Sequence, residues 1–81
     1  MLYILVKVDM GDTMDKQIVL SLKEVLDKRN MTRYELAKRT GTQFPVIDRY
    51  YKNKISRYDK DLILRICLAL DCEVSDIIKI V

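Results

Sequence analysis

TRYELAKRTGTQFPVIDRYYKN, residues 32–53, is the stretch that decides the fold. It reads as two short helices around a tight turn. The Thr32 hydroxyl can cap a helix, and Glu35, three positions on, completes the capping-box pattern. Leu36 and Ala37 follow at helical spacing, and Thr40-Gly41-Thr42 then breaks the helix. Gly41 suits the left-handed backbone that closes a helix C-terminus, because it has no Cβ to clash. A second helix begins at once, with Val46, Ile47 and Tyr50 on one face.

Toward the N-terminus, residues 2–8, LYILVKV, are β-branched and aromatic and read as a strand, which needs a partner. Residues 9–15 are a polar joint containing Gly11. A first helix is expected from Lys16 or Ile18 to Arg29, with Ile18, Val19, Leu22, Val25 and Leu26 as its apolar stripe and Asn30-Met31 ending it. The second and third helices are expected at about Arg33–Arg39 and Phe44–Lys52. Residues 53–56 form a loop in which Asn53 tolerates the left-handed conformation. A fourth helix starts near Asp59 and runs to Leu70, burying Leu62, Ile63, Ile66, Ala69 and Leu70. Asp71-Cys72-Glu73 turns the chain, and Ser75 is expected to cap a last helix from Asp76 to about Ile80. The sum is an all-α, five-helix domain over residues 14–81, preceded by a strand arm and linker over residues 1–13.

The chain has 81 residues, enough for one modest core. No run of about 18 apolar residues could span a membrane. The apolar start, MLYILVKV, is too short for a secretory segment and lacks a basic lead and a small-residue cleavage site. Cys67 and Cys72 are the only cysteines, they are not spaced as CxxC, and there is no His. A zinc site needs more ligands than these. Cys67, inside LILRICLAL, reads as a buried small hydrophobe, and a reducing cytoplasm is the expected setting. No cofactor or small-molecule ligand is expected. With no His and no glycine-rich phosphate loop, neither is an enzyme.

Charge is unevenly placed. Residues 31–60 carry eight basic and three acidic side chains, whereas residues 1–30 are balanced at five each and residues 61–81 carry two basic and four acidic. The positive excess falls on the two helices around Gly41, the footprint expected of a phosphate-binding face. A helix, a short glycine turn and a helix form the motif that lays its second helix in a DNA major groove.

The segment resembles the Cro/CI-type helix-turn-helix of the XRE family of regulators, a lambda-repressor-like fold. Ala37, Gly41 and Ile47 occupy the small, glycine and branched-apolar positions of that pattern, and Tyr50 the later core position. LAKRTGTQFPVIDRYYKNK, residues 36–54, follows it in register, and the remaining helices extend the resemblance from about Gln17 to the C-terminus. It implies a sequence-specific DNA-binding regulator, most often a repressor, that binds double-stranded DNA as a homodimer.

The resemblance places Phe44, Pro45 and Arg49 at base-reading positions, and Asp48 continues the same exposed face. Arg49 could fork onto a guanine edge or instead hold a phosphate. Phe44-Pro45 departs from the usual polar pair. Phe44 has three readings: contact with thymine methyls, packing back onto Tyr34 or Tyr51, or a protein partner. Arg33, Lys38, Gln43, Lys52 and Lys54 match phosphate-contact positions by the same resemblance. Thr32 at the opening of the second helix and Arg57 beyond the third join that set, and the Tyr51 and Tyr58 hydroxyls could add to it.

For dimerisation, residues 2–8 could pair with their twin, or the last helix could offer Ile77, Ile78, Ile80 and Val81. The arm could also pair with the chain's own C-terminus. The competing function is a protein-interaction module on the same scaffold, antitoxin-like or an accessory subunit.

Overall fold

The computed structural model describes residues 16–81. The arm expected at residues 2–8 and its linker lie outside the described residues. The elements run β1 (Ile18–Leu20), α1 (Leu22–Lys28), α2 (Arg33–Thr40), α3 (Phe44–Tyr51), α4 (Lys60–Leu70), α5 (Val74–Ile77) and β2 (Ile78–Ile80).

The starts of the three longer helices follow from local chemistry. Thr32 is extended, and its hydroxyl accepts a hydrogen bond from the Glu35 N–H at 3.1 Å. The Glu35 carboxylate turns to Arg39 instead of back to Thr32, so only half of the capping box forms there. Pro45 sits in the first turn of α3, where its missing N–H would have had no helical partner. The Asp59 carboxylate accepts from the Asp61 and Leu62 N–H groups and starts α4.

One device ends four helices. Asn30, Gly41, Asn53 and Asp71 all adopt positive φ, between 53° and 66°. After each, an N–H reaches back five residues: Met31 to Leu26, Thr42 to Ala37, Lys54 to Arg49 and Cys72 to Cys67, at 2.9–3.0 Å. These closures satisfy carbonyls that would otherwise lack partners. Only one of the four uses glycine. Asn and Asp serve at the rest because their short polar side chains tolerate this backbone region.

Two expectations are corrected at the ends of the domain. Ile18–Leu20 is a strand, and the first helix starts only at Leu22. The last helix starts earlier and is shorter than expected, Val74–Ile77. Its cap is Glu73, not Ser75, in a full capping box with Asp76, whose carboxylate takes the Glu73 N–H at 2.9 Å. Ile78-Lys79-Ile80 then runs antiparallel to β1, pairing Ile18 with Ile80, Val19 with Lys79 and Leu20 with Ile78. The β-branched Ile and Val of both segments, and the apolar alternation of Ile78-Lys79-Ile80, suit this ribbon.

The core draws on every helix. Leu22, Leu26, Leu36, Ile47, Ile66, Leu70 and Ile77 are fully buried, and Leu20 joins them from β1. Tyr50 is buried with them, and its hydroxyl accepts the Asp59 N–H at 2.9 Å, tying α3 to the start of α4. Arg65 donates to the Thr40 carbonyl at 2.7 Å, fastening α4 to the end of α2. Cys67 and Cys72 are free thiols. Burial pushes both upward, Cys72 to about 11, so they stay neutral at physiological pH.

Candidate nucleic-acid interface

The turn at Gly41 sets α2 and α3 against each other, and Ile47 and Tyr50 bury the inner face of α3. The outer face carries Gln43, Pro45, Arg49 and Lys52, all exposed, with Lys54 and Arg57 following. Gln43 is the residue before α3, and its side chain makes no capping bond. Its carboxamide is therefore unengaged by the helix it precedes. Thr32 and Lys38 are exposed on α2.

Four predicted site residues meet in one cluster at the junction of α2 and α3. Arg33 is ion-paired with Asp48, which also holds Lys52 at 3.0 Å. The Arg33 guanidinium lies over the Tyr51 ring at 4.4 Å and 5.9 Å from the centre of Phe44. Phe44 in turn stacks on Tyr34, with ring centroids 4.2 Å apart and planes 16° apart. Of the readings open for Phe44, the free protein adopts packing onto Tyr34.

Asp48 is no free acceptor in this arrangement. The hydrogen bond from Lys52, with Arg33 behind it, holds its carboxyl below the usual carboxylate range, against a desolvation that pushes the other way. A base contact from Asp48 would share carboxylate oxygens already holding two cations. Arg33 and Lys52 are likewise partly neutralised before any phosphate arrives, and Glu35 does the same to Arg39. Among the described residues, Lys38, Arg49, Lys54 and Arg57 carry no carboxylate partner, so the positive face is narrower than composition suggests.

Two residues near this surface have side-chain roles that the sequence does not mark. Tyr34, expected only as a packing surface for Phe44, is 71% exposed and stacks on the first residue of α3. Asn53 was read only for its backbone. Its side chain accepts the Leu20 N–H at 2.7 Å and donates to the Leu20 carbonyl at 3.0 Å, clasping β1 to the end of α3. No short-range signal marks that second role, because its partner lies 33 residues away.

Paired helices about a glycine turn, a buried inner face and a basic outer face define a helix-turn-helix DNA-binding domain. The Cro/C1-type HTH DNA-binding domain family matches residues 21–81, and the chain belongs to that family. Among solved structures, the chain resembles a Bacteroides fragilis protein assigned as DNA-binding, with a TM-score of 0.69 and 24% identity over 78% of this chain and 100% of that one. It also resembles the transcriptional regulator VanUg, with a TM-score of 0.68 and 25% identity over 82% of this chain and 87% of that one. No curated protein sequence matches the chain.

Proposed function

We propose that the protein is a sequence-specific transcriptional regulator that lays α3 in the DNA major groove and represses by occupying promoter DNA. The observation that carries this reading is the contrast between the faces of α3. Ile47 and Tyr50 are buried, while Arg49 and the flanking Gln43, Lys54 and Arg57 are exposed. The regulator VanUg supports it as a structural relative.

Arg49, Phe44 and Pro45 are assigned to base edges, and Asp48 contributes chiefly by positioning Arg33 and Lys52. Thr32, Arg33, Lys38, Gln43, Lys52, Lys54 and Arg57 are assigned to phosphates. Arg33 and Lys52 would exchange part of their pairing with Asp48 for phosphate oxygens. The functional unit is a homodimer acting in the cytoplasm, built from an arm over residues 1–13 and a domain over residues 14–81.

Binding-site selection from random duplexes at two salt concentrations tests this reading. An enriched motif is expected, with affinity falling by a log–log slope of about −0.9 per phosphate neutralised. Failure to enrich any sequence would favour the protein-interaction reading. That alternative draws on the exposed Leu64, Leu68 and Val74 of α4 and α5.

A further inference from the structure

Helices α2 and α3 stack two aromatic rings face to face where α3 begins. Phe44 is the first residue of α3, and Tyr34 lies in the first turn of α2. Their near-parallel stack at 4.2 Å is closed on one side by Arg33, whose guanidinium sits between Phe44 and Tyr51 and is braced by Asp48. The other side is open, with Tyr34 71% exposed and Pro45 exposed next to Phe44. The exposed Tyr34 therefore lies within one ring-stacking distance of Phe44.

A large aromatic surface left in water is unfavourable, and its position at the leading turn of α3 gives it a partner in the complex. The one apolar group that base edges display in the major groove is the C5-methyl of thymine. The stack also fixes Phe44 before binding, which reduces the ordering cost of the contact. We propose that Tyr34 is a specificity-determining residue, forming with Phe44 a two-helix aromatic plate that reads thymine methyl groups. This rests on the DNA-binding reading above and assigns to α2 a share of base recognition.

The test uses the full chain and a duplex carrying its selected motif, with each thymine replaced in turn by deoxyuridine. That change removes the methyl and leaves pairing intact. At one or two positions the wild type should lose about fourfold in affinity, the worth of one buried methyl group. In Tyr34→Ala, which leaves only Phe44 to meet the methyl, that uracil penalty should shrink and binding to the thymine duplex should weaken, while Tyr34→Phe should keep both wild-type values. Tyr34 is exposed, so the substitutions leave the core intact, and thermal melts of both variants would verify this.

An unchanged uracil penalty in Tyr34→Ala would overturn the proposal. So would Tyr34→Phe behaving like Tyr34→Ala, which would make the hydroxyl, through a phosphate, the working group. A selected duplex indifferent to uracil everywhere would also defeat it while leaving sequence-specific binding standing. Failure to select any duplex would defeat the broader reading as well.

Discussion

Gly41 isolates a single backbone requirement. Its φ is +66°, and a Cβ built there meets no atom within 4 Å. Gly41→Ala should therefore cost only the strain of a left-handed L-residue, about 1–2 kcal/mol, with no clash added. A urea titration would read that loss with the slope unchanged. Asparagine at this position should cost less, since Asn30 and Asn53 already hold the same conformation in this chain. Arg49 and Lys54 separate reading from holding. Arg49→Ala should relax preference at one base position by roughly 1–3 kcal/mol. Lys54→Ala should weaken all sequences alike and shrink the salt slope by about 0.9. Anisotropy titrations on matched and mismatched duplexes would distinguish the two.

At the scale of elements, the Asp48 bridge locks α2 to α3, and its ionisation gives that lock a pH dependence. A carboxyl held below its ordinary value stabilises the fold fully above that value, near pH 4, and loses the contribution as pH falls through the lowered one. Wild type should be more stable than Asp48→Asn at neutral pH, and the gap should close under acid. Denaturation midpoints between pH 7 and pH 2 would show it. The second lock is the Asn53 clasp. Asn53→Gly keeps the positive φ but removes both side-chain hydrogen bonds to Leu20. It should cost about 1–3 kcal/mol and strip hydrogen-exchange protection from the Leu20 amide while α3 stays protected. The elements divide by how local their causes are. The starts of α2 and α4 and the turn at Gly41 were legible because capping and closure act over three to five residues. β1 was misread because Ile18, Leu22, Val25 and Leu26 continue the helical period of α1 backward, while the partner that makes β1 a strand lies at the other end of the chain. The site divides in the same way. Its cations could be counted in the sequence, but which of them are neutralised depends on α3 bringing Asp48 against Arg33.

For the whole molecule, the ribbon of β1 and β2 alters the question of assembly. Ile77 is fully buried and cannot serve a dimer contact, whereas Ile18, Ile80 and Val81 are exposed. Sedimentation of the full chain and of a chain beginning at Met14 should separate the two proposed dimer elements. Dissociation to monomer on truncation would assign the contact to residues 1–13, and an unchanged dimer would exclude the arm and favour residues 76–81. The ribbon has one further consequence. Gln17 and Val81 exchange hydrogen bonds in both directions at 2.9 Å, so the two ends of the domain leave at one corner. A short glycine bridge could close the backbone there into a ring. A new opening at the exposed Ser56-Arg57 peptide would then give a circular permutant that begins with α4 and finishes with α3. Such a permutant should keep the helical circular-dichroism spectrum if the fold depends on where its elements meet and not on their order in the chain.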